Sequence, residues 1–154
     1  MITVILLNEI NFTRAPSQTK FQTWVNCVVK TIPEKIPNNC DEICISIVDK
    51  KTSAELNEAY RSKKGPTNIL SFTYKPLPGT IQESLGDCAI CADIVEEEAL
   101  QQNKILESHW AHLTIHGMLH LLGYDHIIDN DAEIMEALEI KILTQLGIEN
   151  PYEQ

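Results

Sequence analysis

The residues with the clearest chemistry are three histidines in HGMLHLLGYDH, residues 116–126. His116 and His120 are four apart, so on a helix they are neighbours on one face. There they can place two imidazole nitrogens about 2.0–2.1 Å from one metal ion. Gly123 lets the chain turn back, and His126 follows as a third ligand. Three histidines with an open fourth position make a catalytic zinc site, whereas structural zinc is usually closed by four ligands. Core histidines that merely satisfy a hydrogen bond are the plainer reading of any one of these. The combined i, i+4, i+10 spacing with a glycine at i+7 argues against it. His109 and His112 fall on the same stripe one and two turns earlier. They are candidates to support the ligands or line a cleft, with buried hydrogen bonds as the other reading.

A zinc protease helix carries a glutamate directly after its first histidine, as the base that takes the proton from water. Here that residue is Gly117. Peptide hydrolysis by that route is disfavoured. Zinc still lowers the pKa of its water toward ~7, and what is then needed is a cation to neutralise the attacked group. The chain has a net charge of −10, which excludes general basicity as a means of coating duplex nucleic acid. Yet residues 59–82 contain Arg61, Lys63, Lys64 and Lys75 and no acid, so this segment is +4 and the remainder −14. Such a segment can form a local phosphate site, or simply a solvated loop. Asp87, inside an apolar run, is a candidate to orient a ligand histidine or act as a base, or to hold a turn. Asp125 can fix the turn after Gly123.

The five cysteines, Cys27, Cys40, Cys44, Cys88 and Cys91, are odd in number and fit free thiols in a reducing compartment. A four-thiolate zinc site from the C-x3-C and C-x-x-C pairs is the alternative metal site. Both pairs lie in strand-like runs, where residues three apart face opposite sides. The hydrophobic runs are too short to span a membrane, and the N-terminal apolar run reads as a strand rather than an export signal.

The elements that must position these residues follow from periodicity. Strands are expected at 2–7, 43–49, 68–74 and 84–92. Helices are expected over about 17–32, 52–60, 93–103 and 107–122, with a last one opened by an Asn130-x-x-Glu133 cap. Thr52-x-x-Glu55 reads as a capping box. The helix over 107–122 is apolar almost all round and is expected to be buried, with Gly123 as a left-handed cap. The last helix carries Ile134, Leu138, Ile142 and Leu146 on one stripe. About four strands and five helices in mixed order predict one α+β domain over residues 1–154: a small sheet packed with helices, with the histidines on a central buried helix.

These residues also resemble a known family. HGMLHLLGYDH is similar to the His-x3-His-x5-His signature of the YbeY family, bacterial zinc-dependent endoribonucleases of rRNA maturation. LNEAYRSKKGPTNILSF (56–72) resembles that family's segment around a cleft arginine, LGDCAIC (85–91) its LGD strand, and ESHWAHLTIHG (107–117) the start of its metal helix. The resemblance implies one zinc ion on His116, His120 and His126, a catalytic role for Arg61, and single-stranded RNA as substrate. It further implies action on rRNA precursors in late small-subunit 3′ end processing and ribosome quality control, with the ribosome or its associated proteins as partners in the cytoplasm. The chemistry is coherent with this, since a guanidinium is a planar fork suited to a phosphodiester. Two other readings are a ribosome-assembly factor with a mainly structural zinc, and a zinc hydrolase of a non-RNA substrate.

Overall fold

A computed structural model describes residues 1–73, 77–125 and 129–153. The elements are β1 (Thr3–Leu7), α1 (Gln18–Thr31), a short 3-10 turn (Pro33–Lys35), β2 (Glu42–Val48), α2 (Lys50–Arg61), β3 (Ile69–Thr73), β4 (Ser84–Cys91), α3 (Ala92–Gln101), α4 (Leu106–Leu121) and α5 (Asp129–Gln145). The four strands form one sheet in the order β1-β2-β4-β3. β1, β2 and β4 are parallel, while β3 is antiparallel to β4. The sheet is therefore mixed, and the fold is α+β as expected.

Alternation in β2 puts Ile43, Ile45 and Ile47 in the core. Ile45 pairs with Cys88, and Cys88 with Ser71, so these residues share one face of the sheet. α4 lies against that face. It is buried along most of its length, and Trp110 meets Phe21 of α1 edge-on at 6.0 Å. Gly117 makes the close approach possible. A Cβ there would lie 2.5 Å from Ile69 Cδ1 and 3.1 Å from Cys88 Sγ, and Ser71 Oγ donates to the Gly117 carbonyl at 3.2 Å. The missing glutamate thus has a physical reason: position 117 faces the sheet, with no room for a side chain. Gly123 adopts φ +99° and ends α4, with Tyr124 N–H donating to the Leu119 carbonyl at 3.0 Å. This is the left-handed cap that the spacing predicts.

Three local expectations need correction. α2 begins at Lys50, capped by the Asp49 side chain on Thr52 N–H at 2.8 Å, so Thr52 is inside the helix rather than its cap. Asn130 is likewise inside α5, which begins at Asp129. Of the expected α5 stripe, Ile142 is buried and Leu138 and Leu146 pack against the core, but Ile134 is exposed and the fully buried positions are Met135, Glu139, Ile142 and Leu143. The i, i+4 row chosen from sequence drifts around a 3.6-residue helix, whereas the mixed three- and four-residue spacing stays on one side.

Candidate active site

α4 carries a seam of imidazoles. His116 and His120 stack edge-to-face with centroids 4.7 Å apart, and His112 follows one turn earlier at 6.3 Å from His116. Behind the seam lies Glu139 of α5, fully buried. Its carboxylate accepts from His116 Nδ1 at 3.0 Å, from His112 Nε2 at 2.5 Å and from the Tyr152 hydroxyl at 2.6 Å. Burial pushes this carboxyl up, but the hydrogen bonds from the two histidines and Tyr152 prevail and hold it at about 2. Burial lowers the pKa of His112, against the opposing pull of Glu139. The Tyr152 hydroxyl is pushed up by burial and then by its bond to Glu139. With Nδ1 of His116 given to a carboxylate, Nε2 is the nitrogen oriented for a metal, the arrangement found behind most metal-ligating imidazoles.

The histidines open into a cleft of ≈ 510 Å³ lined also by Arg61, Lys63, Thr67, Asn68, Ile69, Ser71 and Thr73. Arg61 arrives as the last residue of α2. Ser62 then takes a left-handed conformation (φ 56°), turning the chain so that Lys63 follows Arg61 into the lining. His116, His120 and Arg61, singled out from sequence in separate segments, are thus brought to one cleft. Lys63 joins them from the cationic segment. His126 and Lys75 lie outside the described residues.

The other candidates separate. Asp87 neighbours Cys88, whose Sγ faces Gly117, so alternation turns Asp87 to the opposite side of the sheet from α4. Its side chain is exposed there, away from His116 and His120. Asp125 is exposed at the end of the stretch after α4. His109 is buried and donates from Nε2 to Glu98 of α3 at 2.9 Å. All five cysteines are free thiols. Burial pushes the Cys88 thiol up to about 12, the reverse of what a thiolate ligand requires. Among the described residues, no group of three or more His, Cys, Asp or Glu side chains is placed to hold a metal. All four cysteines of the alternative site are among those residues. The histidine set has two members described and its third, His126, outside them.

Glu139 and Tyr152 are the residues that sequence reasoning missed. For Glu139 a signal existed: an acid interrupts the stripe between Met135 and the Ile142–Leu143 pair, where burial of a charge demands partners. Tyr152 carried none, because nothing local shows that the C-terminal segment returns to α4.

Comparison with known proteins agrees with this architecture. The family profile described as endoribonuclease YbeY matches residues 7–147. Proteins named endoribonuclease YbeY from Coxiella burnetii, strains Dugway 5J108-111 and RSA 493, are 51% identical over 154 residues, covering 100% of both chains. The solution structure of TM1509 from Thermotoga maritima shares the fold with a TM-score of 0.59 at 22% identity, covering 100% of both chains. No helix among the described residues is long and apolar enough to cross a membrane. Matched along nearly its whole length and at half of its positions, the chain belongs to the endoribonuclease YbeY family.

Proposed function

We propose that the cleft between α2, β3 and α4 is where this protein cleaves single-stranded RNA, as a zinc-dependent endoribonuclease. The observation that carries this reading is the meeting of Arg61 and Lys63 with His116 and His120 around one space of ≈ 510 Å³. The residues present fit a zinc ion: two imidazoles on one helical face, one of them backed by a buried carboxylate. His116 and His120 would hold it together with His126. Bound there, the metal would supply Lewis acidity toward a phosphoryl oxygen and activate an oxygen nucleophile.

The chain's own residues do the rest. Arg61 offers a bidentate fork to a phosphodiester, and Lys63 adds a mobile point charge beside it. Glu139 keeps the His116 ring in one orientation. Gly117 leaves no side chain between α4 and β3, so the protease mechanism has no base here. That observation tells against a peptidase, and the cations in the same cleft favour an enzyme over a protein whose zinc is only structural.

The substrate class follows from charge. Cations cluster at 61–75 on a chain that is otherwise −14, which serves only a few phosphates. A flexible strand can bend one phosphate into the cleft, whereas a stiff duplex would press many against an acidic surface. The resemblance of its motifs extends this reading to action as one domain, residues 1–154, on rRNA precursor in the cytoplasm, in small-subunit 3′ end maturation and ribosome quality control with ribosome-associated partners. The 51% identity to proteins named endoribonuclease YbeY supports the cleavage of RNA. The test is a cleavage time course on matched single-stranded and fully paired RNA across a salt series, with a chelator control. Cutting of single strands well ahead of duplex, a shallow salt slope and loss of activity with chelator are expected. Equal or faster cutting of duplex contradicts the substrate assignment.

A further inference from the structure

The lining of the cleft that does not come from α4 includes Thr67 and Asn68, the end of an irregular run, residues 65–68, between α2 and β3. Such backbone has few partners within a ladder and must be held by side chains. Ser53 Oγ donates to the Thr67 carbonyl and accepts from Thr67 N–H, both at 2.9 Å. Asn57 Nδ2 donates to the Gly65 carbonyl at 2.9 Å. Ser53, Asn57 and Arg61 lie at i, i+4 and i+8, so the face of α2 that grips the run also brings Arg61 to the cleft. Further hold comes from β4, where Cys91 N–H donates to the Asn68 carbonyl at 2.9 Å, and from α3. Asn68 Nδ2 donates to the two oxygens of Glu98 at 3.1 and 3.3 Å, and its Oδ1 accepts from Ile69 N–H at 2.6 Å. The same Glu98 carboxylate accepts from His109 Nε2 at 2.9 Å, and His109 sits buried on the helix that carries His116 and His120.

We propose that Glu98 and Asn68 are positioning residues for RNA cleavage. One carboxylate shared between α4 and the cleft fixes the Thr67–Ile69 wall relative to the two cleft histidines. A carboxylate is a costly device for packing alone, since burial opposes its charge and only hydrogen bonds offset this. Here those bonds come from His109 and Asn68, and they hold the Glu98 carboxyl below its ordinary range despite burial. Asn68 touches the cleft with an amide oriented at both ends. A wall displaced by about 1 Å can cost ~10²-fold in rate when reacting groups must be aligned.

The proposal rests on the reading of the cleft as the RNA-cleaving site, so Arg61→Ala is included as a control. kcat and KM are measured separately on a single-stranded RNA for Glu98→Ala, Asn68→Ser, their double variant and Glu98→Gln. Zinc content and thermal unfolding are followed alongside. Each of the first two is expected to lower kcat/KM by about tenfold or more, mostly in kcat, with zinc content unchanged. The double variant should fall no further than the worse single one, because both break one connection. Glu98→Gln keeps an acceptor for Asn68 and should retain most of the activity, which separates positioning from mere folding. Normal kcat in folded Asn68→Ser, or a double variant that loses the product of the two single effects, overturns the proposal. Normal cleavage by Arg61→Ala would instead remove the reading of the cleft on which it stands.

Discussion

Two carboxylates flank α4, and the helix treats them differently. Glu139 has no exposed surface and gathers three donors, His112, His116 and Tyr152, around two oxygens. Glu98 keeps 26% of its side chain exposed and serves His109 and Asn68. Burial raises both carboxyls and hydrogen bonds lower them, with a net fall in each. The difference lies in what they hold. Glu139 orients the imidazole of His116, a ligand in the proposed metal site, so its influence should be felt in metal affinity and in global stability. Glu98 orients a wall of the cleft, so its influence should be felt in turnover. One helix thus uses successive turns for two tasks, with histidine as the donor in both.

The largest expected effect is at the inner carboxylate. Glu139→Ala leaves three donors facing a cavity and is expected to cost about 3 kcal/mol of stability in urea unfolding. Loss of a partner behind a ligand histidine should also weaken zinc binding about 10–100-fold, read by competition with a chelator. Unchanged zinc affinity in a folded variant would erase the distinction between the two carboxylates.

A smaller effect separates them by pH. The folded Glu98 carboxyl lies below its ordinary value of about 4.3, so its ionised form adds stability that is fully present above that range. This contribution is lost as pH falls through the folded value. Solvent screening limits it to no more than about 1 kcal/mol. Urea unfolding of the native protein and Glu98→Gln should therefore differ at pH 7 and converge toward pH 3. A gap that widens on acidification would give the shift the opposite sign.

Much of this site was legible in the sequence because its residues obey local geometry. The four-residue spacing of His116 and His120 and the left-handed Gly123 follow from helix geometry alone, and both are found as expected. Arg61 was legible as the lone guanidinium in a segment without acids, though only the fold shows that α2 delivers it to the same cleft. What was not legible depends on pairings distant in sequence. Glu139 reaches His116 from 23 residues away, and Asn68 reaches Glu98 across 30. No periodicity records such partners. Asp87 was left open between several roles for the same reason: an acid in an apolar strand does not show its face until the neighbouring strands are known. The capping box at Thr52 fits the pattern equally well one turn out of register, and Asn130 lies one residue inside the start of α5. At the first, the Asp49 side chain captured the Thr52 N–H instead.

In the proposed RNA-cleaving site, Arg61 and the histidines are expected to perform separable tasks. The most direct test is the zinc-to-protein ratio measured together with single-strand RNA cleavage for the native chain, His120→Ala and Arg61→Ala. Close to one zinc per chain is expected in the native protein and in Arg61→Ala, with loss of most zinc in His120→Ala. Cleavage should be lost in both variants. Full metal retention by His120→Ala, or normal cleavage by Arg61→Ala, would contradict this assignment.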